Sequence, residues 1–441
     1  MAPPTDPPTD PVLKFKELCT AIKITQTVDA WTERAYWFME QGYWELSAFD
    51  YHHILHSFPH TIETRSRAQF GLARSLHELG ANTAARALLA AIPPRKEPEE
   101  AQHLANVFNS THKDGDKPLF FKHKYPWMTF EETTRDTDHM RPVSQEYNKY
   151  NLEIDKCSFL VDSTVWGVYT KSGLNKTDKP FYNEGIITAP CLGADTSADE
   201  LYTFYLQTLI ERNIQHINEP WNPLKDPAIK LLTTDYVANN ATFSYEKYIV
   251  QPYNILQSNG ILFHELRFDW WYLFTVYWRL SCNAVQIPPE PTDPTQQWHV
   301  GFSTPFTFFN HSCAPNVIYT TTSPPNALIQ VHLTALHNIR PNSELFISFL
   351  TPAQLMLPVE TRRLILRRWI GGNCMCNKCV WQDSDPTGKV GGKRKRVILE
   401  RKVDDPRWNA RKSPRKVVDK RRAVGVNAPD DDFEDMDVDF E

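Results

Sequence analysis

Long apolar segments are missing from this 441-residue chain. No uninterrupted run of about 18 apolar residues occurs, so no membrane-spanning helix is expected. The proline-rich opening, residues 1–8, has neither the positive region nor the apolar region of a secretory signal, and we expect no signal there. Glycine is scarce as well, with 16 residues, about half the usual share. The 33 prolines are therefore expected to stiffen the loops.

A strong net charge is also absent. Lys and Arg number 48 against 53 Asp and Glu, which leaves −5 at pH 7. The distribution is uneven, because 389–422 is basic and 430–441 is acidic. Two clusters in this tail, 393–396 and 415–422, resemble a two-part nuclear import signal, with merely solvated charge as the alternative. The acidic balance and the lack of a basic stripe elsewhere argue against a metal-dependent nucleic-acid binder and against direct nucleic-acid binding.

A weak internal repeat marks the N-terminal part of the chain. Placing Ala35–Ile54 over Ala73–Ile92 aligns small, apolar and acidic residues and sets Gly42 over Gly80. The pattern is similar to two tetratricopeptide-type helix pairs with these glycines in the turns, and an ordinary helical bundle is the alternative. Two such pairs bury little apolar surface alone. We therefore expect them to dock on the rest of the chain or on a preceding helix over about 12–24.

Cysteine is concentrated in one place. Of eight cysteines, Cys374, Cys376 and Cys379 fall within six residues. Such clustering favours metal binding in a reducing compartment over a disulfide framework. Cys313, in a polar turn earlier in the chain, raises the number of thiolates to four, which completes a closed tetrahedral zinc site. Free or redox-active thiols are the alternative.

The turn and the cluster together resemble a known domain. Residues 309–316, FNHSCAPN, followed by CMCNKC at 374–379, resemble the SET methyltransferase domain, and more narrowly its SMYD (SET and MYND) branch, over about 158–379. Three further matches occur in the family's order: 279–283 to the helix-end motif, 342–349 to the GEEL…SY strand, and 360–363 to the ERR helix. The resemblance implies an α+β, SET-type β-fold with short strands, a pseudo-knot, inserted helices and a zinc-bound post-SET loop, preceded by an α-helical repeat-like domain.

The resemblance also assigns roles to individual residues. It implies that Gly167, Asn283, Asn310 and His311 contact S-adenosylmethionine, and that Cys313 shares one structural Zn²⁺ with the three later cysteines. Position 349 is that of the family's catalytic tyrosine. A lone asparagine at a helix end or in a turn is also often a cap, which is the alternative for Asn283 and Asn310.

The sequence departs from the family at several positions. Phe349 replaces the tyrosine, and no tyrosine follows Tyr319. The GxG cofactor loop is reduced to Val165-Trp166-Gly167, and Gly372 stands where the family has an aromatic residue. A MYND zinc module is missing, because Cys191 is the one cysteine in the segment that would carry it. Loss of the hydroxyl that orients the reacting amine is expected to slow the reaction or to change how many methyl groups are added.

These features predict five segments. We expect 1–12 to be disordered, 13–95 to be helical, 96–155 to be a connector interrupted by prolines, 156–381 to be the SET domain with its post-SET loop, and 382–441 to be a flexible charged tail. Within these, strands are predicted at 158–169, 180–190, 327–336 and 344–350, and helices at 197–214, 262–281 and 358–370.

The first functional hypothesis is an S-adenosylmethionine-dependent protein-lysine methyltransferase, nuclear and/or cytoplasmic, that modifies a histone or non-histone protein. Its N-terminal helices would bind protein partners. The second is a catalytically impaired SET-fold scaffold. Val165, Phe349 and Gly372 favour it, and Asn283, Asn310 and His311 oppose it.

Overall fold

The computed structural model describes twelve stretches and three single residues of the chain. These are 10–93, 106, 125–129, 137–157, 166–177, 179–191, 202–208, 210, 224, 227–232, 243–266, 268–287, 298–322, 328–370 and 373–384. The N-terminal residues 1–9, Val165, Gly372 and the charged tail from 385 onward lie outside the described residues, and the expectations for them stay predictions. No described helix is both long enough and apolar enough to cross a membrane.

Five helices form the N-terminal part. Polar side chains begin three of them: Asp10 accepts from the Val12 amide at 2.8 Å, Thr27 from Ala30 at 3.4 Å, and Thr61 from Thr64 at 3.1 Å. The helices are α1 (Pro11–Thr25), α2 (Val28–Glu40), α3 (Trp44–Ser57), α4 (Ile62–Glu78) and α5 (Asn82–Ala90).

The predicted repeat has a structural counterpart in two turns. Gly42 follows α2 with φ of 72°, and Gly80 follows α4 with φ of 73°. In each turn the next residue bonds back into the helix, with Tyr43 N donating to Phe38 O at 2.8 Å and Ala81 N to Leu76 O at 2.9 Å. The helix pairs and their glycine turns are confirmed. Their membership of the tetratricopeptide class stays a prediction.

Nine short strands lie within the described residues. Strand β3 lies at the centre of a five-stranded sheet with the order β4-β5-β3-β8-β7, and all of its pairings there are antiparallel. β1 pairs with β2 in a separate ribbon, and β6 pairs with β9 in parallel. The strands are β1 (Leu152–Lys156), β2 (Trp166–Thr170), β3 (Tyr182–Cys191), β4 (Val285–Ile287), β5 (Trp298–Phe302), β6 (Asn310–His311), β7 (Val317–Thr322), β8 (Ile329–Ala335) and β9 (Phe346–Ile347).

Further helices occur before, between and after these strands along the chain. They are α6 (Thr137–Asn148), α7 (Pro227–Lys230), α8 (Gln251–Ser258), α9 (Trp270–Asn283), α10 (Pro352–Leu355), α11 (Val359–Ile370) and α12 (Asn377–Ser384). Residues 202–208 are also helical. The mixture of helices and short strands agrees with the α+β expectation.

Two sequence expectations are corrected. The segment 96–155 contains regular structure in its last part, where α6 accommodates Pro142 inside the helix and β1 follows. The helix predicted over 262–281 begins only at Trp270, because Asp269 accepts a hydrogen bond from the Trp270 amide at 2.9 Å and caps it. Residues 263–265 form a separate 3₁₀ turn.

The N-terminal helices dock on α9, as expected for repeats with little core of their own. Arg34 of α2 is fully buried and bonds Asp50 at 2.7 and 2.8 Å and Asp269 at 3.0 and 3.2 Å. Phe49 stacks on Trp270 with ring centroids 4.4 Å apart. A buried guanidinium shared by two carboxylates therefore fixes the start of α9 against α2 and α3.

Candidate functional site

Four cysteines converge at one point. Cys313 comes from the turn after β6, and Cys374, Cys376 and Cys379 come from the segment that leads into α12. Their sulfur atoms all lie within 4.8 Å of one another, and the Sγ atoms of Cys313 and Cys379 are 3.5 Å apart. None of them is in a disulfide. Four thiols that meet at one point from two segments form a donor set that fits tetrahedral zinc.

Two arginines of α11 border this cluster. Arg362, which is 1% exposed, places Nη2 3.4 Å from the Cys379 Sγ and bonds the Leu357 carbonyl through Nη1. Arg363 donates to the Cys374 carbonyl at 3.2 Å. Four thiolates around one Zn²⁺ carry a net charge of about −2, which nearby guanidinium groups offset. The predicted helix at 358–370 thus brings positive charge to the thiols.

Hydrogen bonds among the four thiols divide their acidity unequally. They lower the pKa of Cys376 and Cys379 and raise the pKa of Cys313 and Cys374. Metal binding requires thiolates, so zinc binding would release the protons that the cluster holds.

The His311 side chain lies between the cysteines and residue 349. Its Nε2 is 3.3 Å from the Cys313 Sγ, and its Nδ1 accepts the Phe349 backbone N–H at 3.0 Å. Burial lowers the pKa of His311 to about 4, so the ring is neutral at pH 7. Both ring nitrogens therefore have protein partners. Hydrogen bonding from this side chain to a cofactor is correspondingly limited.

Gly167 and Asn310, both predicted to contact the cofactor, lie together around a carboxylate. Asn310 Nδ2 donates to Glu344 Oε1 at 2.7 Å and to the Trp166 carbonyl at 3.2 Å. A Cβ added to Gly167 would lie 2.5 Å from the same Glu344 oxygen. The Tyr169 hydroxyl donates to Glu344 Oε2 at 3.2 Å. Gly167 is thus needed for the close approach of Glu344.

Glu344 and Asn316 were not among the predicted site residues. Both stand inside the quoted family matches, which is the signal that could have found them. The Asn316 side chain donates to the Glu344 carbonyl at 2.8 Å and accepts from the Phe346 amide at 2.7 Å, so it clamps the strand that carries Glu344. Glu344 is buried, and neutral donors hold its carboxylate.

Trp369 contacts Ala284, the residue after Asn283, and its ring lies beside that of Phe349. Asn283 ends α9 and donates to the Arg279 carbonyl at 2.7 Å, which is the geometry of a helix-end amide. Trp369 Nε1 donates to the adjacent Ala284 carbonyl at 3.2 Å, and its ring centroid is 6.1 Å from that of Phe349. The ring of His311 lies on another side, 5.2 Å from Phe349. Position 349 is thus surrounded by aromatic rings and has no hydroxyl.

Comparison with known proteins agrees with this geometry. The SET domain model matches residues 100–350, a range that starts within the segment expected to be a connector and ends before the three clustered cysteines. A "SET and MYND domain-containing protein" of Dictyostelium discoideum is 34% identical over 121 residues, which are 27% of this chain and 22% of that protein.

Two named methyltransferases are also similar to the chain. Mouse "Protein-lysine N-trimethyltransferase SMYD5" is 40% identical over 77 residues, 18% of each chain. Human "N-lysine methyltransferase SMYD2" is 29% identical over 136 residues, 30% of this chain and 26% of that protein. These matches span less than a third of each relative. Because the SET domain model covers more than half of the chain, the chain belongs to the SET domain family, and it is homologous to the SMYD-type methyltransferases.

Proposed function

We propose that the protein is an S-adenosylmethionine-dependent protein-lysine methyltransferase whose SET domain is closed by one structural zinc ion. The observation that carries the proposal is the parallel pairing of Asn310–His311 with Phe346–Ile347, which brings the polar turn, Glu344 and position 349 into one place next to the four thiols. Homology to proteins named as lysine methyltransferases supports the same reaction class.

In this proposal the four cysteines, Cys313, Cys374, Cys376 and Cys379, hold the zinc. Structural zinc sites contribute on the order of 10 kcal/mol to folding, which suffices to fix the loop after α11 on the domain. The zinc has no chemical role here, because all four of its positions are filled by protein sulfur.

Gly167, Asn283, Asn310 and His311 are proposed to border the cofactor, with Glu344 added from the geometry. Bound S-adenosylmethionine supplies an electrophilic methyl group on sulfur. The chain has to orient a lysine amine and favour its neutral form, since a free lysine has a pKa of about 10.4. Burial among Phe349, Trp369 and the His311 ring disfavours the ammonium form. Glu344 offers a fixed negative charge for a cationic ligand.

Phe349 supports a second candidate function. The rings in contact with it, those of His311 and Trp369, bring no phenolic hydroxyl to the amine. A missing orienting hydroxyl costs orders of magnitude in rate when it acts in the transition state. On this view the chain is a catalytically impaired SET-fold scaffold that binds proteins through its N-terminal helices and its tail.

The proposed substrate is a lysine-containing protein, with histone tails included, and the proposed partners are proteins that bind the helices of 13–95. We propose nuclear and/or cytoplasmic localisation on the basis of the two basic clusters of the tail, and no direct contact with nucleic acid. The SET domain is taken as 156–381 with its post-SET loop, and 382–441 as a charged tail.

The test is methyl transfer from labelled S-adenosylmethionine by the zinc-loaded full chain to histones and to a cell extract. The methyltransferase proposal predicts label in protein, lost in Asn310→Ala and raised in Phe349→Tyr. His332→Phe is the matched control, because His332 bonds only Thr322 on the β7–β8 ribbon among the contacts described and lies outside the site. Absence of label from wild type together with label from Phe349→Tyr would show that the natural chain is catalytically impaired. A stable protein partner in pull-downs, without cofactor binding and with zinc intact, would decide for the scaffold.

A further inference from the structure

The His311 imidazole makes hydrogen-bond contacts with two parts of the proposed site, one through each ring nitrogen. On one side is the Sγ of Cys313, 3.3 Å from Nε2, and on the other is the backbone N–H of Phe349, 3.0 Å from Nδ1. The half-buried imidazole uses both of its ring nitrogens in these two contacts. Its orientation therefore depends on both.

The geometry determines which nitrogen carries the proton. A backbone N–H is only a donor, so Nδ1 must be an unprotonated acceptor. A neutral imidazole with a bare Nδ1 carries its hydrogen on Nε2, and this N–H points to the Cys313 sulfur. A doubly protonated ring would set two N–H groups against each other at Phe349. The ring therefore donates to sulfur and accepts from residue 349.

The strength of the sulfur contact depends on the state of Cys313. A thiolate accepts a charge-assisted hydrogen bond, which is stronger than a bond to a neutral thiol. Zinc would hold Cys313 as a thiolate, whereas loss of zinc leaves a buried thiol, which accepts a weaker hydrogen bond. His311 is then held less firmly on the Cys313 side.

We propose that His311 is a positioning residue through which the zinc state of the cysteine cluster sets the position of residue 349. The proposal deepens the proposed function, since it rests on zinc in the four-cysteine site and concerns the residue that faces the lysine amine. The effect acts on the backbone at 349, so it applies to Phe349 and to a tyrosine placed there alike. It needs neither bound cofactor nor turnover.

Amide hydrogen exchange of the full chain tests the coupling. Removing zinc from wild type with a chelator is expected to speed exchange at the Phe349 amide by about 2- to 12-fold, the effect of weakening one hydrogen bond. The Leu345 amide, four residues earlier, bonds the Val168 carbonyl at 2.7 Å and makes no contact with His311 among those described. Its exchange is expected to change little. In His311→Phe the Phe349 amide exchanges fast with zinc present, and the chelator adds nothing there. The matched variant His332→Phe behaves as wild type.

A Phe349 amide that ignores the chelator in wild type, or that responds equally in wild type and in His311→Phe, overturns the proposal. A second measurement needs no folded variant. The long-range ¹H–¹⁵N spectrum of zinc-loaded wild type is expected to show His311 with Nε2 protonated and Nδ1 bare, and its Nε2 signal is expected to shift on chelation because the Cys313 partner changes. Protonation of Nδ1 instead contradicts the geometry. Failure to bind S-adenosylmethionine would defeat the proposed function and would leave both of these readouts unchanged.

Discussion

Replacing Arg34 with methionine tests whether the N-terminal helices and the SET region fold as one unit. Arg34 is fully buried and makes four hydrogen bonds of 2.7 to 3.2 Å, two to Asp50 and two to Asp269. The methionine fills similar space but leaves two carboxyl groups, 1% and 6% exposed, without their cation. Removing one partner of a buried ion pair costs about 3–5 kcal/mol. We expect a loss of that size in the free energy of unfolding, measured by urea denaturation of the full chain.

The pH of the experiment matters. Burial raises the pKa of Asp50 to about 7, even though Arg34 opposes this, so the carboxyl group is mostly ionised at pH 8. A group whose pKa is raised in the folded state is stabilising at low pH and loses that contribution as the pH rises through the folded value. The penalty of Arg34→Met is therefore expected to be largest at pH 8 and smaller at pH 6, where Asp50 takes up a proton.

Two variants complete this test. Lys14→Ala removes ion pairs with Glu17 and Glu33 at the surface and is expected to cost at most about 1 kcal/mol. Adding Asp50→Leu to Arg34→Met removes one orphaned carboxyl group and is expected to recover part of the loss. An Arg34→Met penalty below about 1 kcal/mol, the size of a surface pair, would refute the reasoning.

Three further predictions follow from the geometry. Gly167→Ala is expected to lower the free energy of unfolding by about 1–3 kcal/mol, because its Cβ would lie 2.5 Å from Glu344 Oε1. If this clash is the cause, urea denaturation shows a smaller decrease when Gly167→Ala is made in a Glu344→Ala background. Burial lowers the pKa of His52 from 6.5 to about 3, so the unfolded chain binds a proton that the folded chain does not, and stability falls as the pH drops below 6.5. His52 changes the free energy of unfolding by at most about 1.4 kcal/mol per pH unit. His52→Asn should therefore lose less stability than wild type between pH 7 and 5.5. Equal losses in the two proteins would contradict the lowered pKa of His52. Elemental analysis is expected to find a single zinc ion per chain, absent from Cys379→Ser, whose melting temperature is also lower; retention of zinc by that variant would be contrary to the four-thiol site.

Features encoded by adjacent residues were predictable from the sequence. Gly42 and Gly80 mark turns because only a residue that tolerates positive φ fits there, and both angles are positive. Alternating apolar residues gave the strand at 327–336, which the structure shows as Ile329–Ala335 with every second residue buried. The convergence of Cys313 with the later cysteines was also predictable, because zinc-type spacing leaves few other uses for them.

Features that depend on contacts between distant residues were not predictable in this way. Pro142 lies inside α6, although proline ordinarily interrupts a helix, so the tertiary environment outweighs the local preference. Arg34 looks like a surface charge on an amphipathic helix until Asp269, far along the chain, supplies its second partner.

The same limit applies at the candidate site. His311 was assigned to the cofactor by its motif, whereas its ring lies between Cys313 and the Phe349 backbone. The sequence does not predict Glu344 as a site residue, because its contacts are with Asn310 and Gly167, which lie on other strands. Motif matching identifies which residues belong to a site, and only the fold shows what each side chain faces.

The most direct test of the central claim is calorimetric titration of S-adenosylmethionine into the zinc-loaded full chain. The account predicts saturable binding of one molecule per chain, weakened at least about tenfold in Asn310→Ala, which corresponds to about 1.4 kcal/mol. Binding by His332→Phe should equal that of wild type. A folded, zinc-loaded chain that releases or absorbs no heat of binding, and that shows no binding by equilibrium dialysis with labelled cofactor, would contradict the claim.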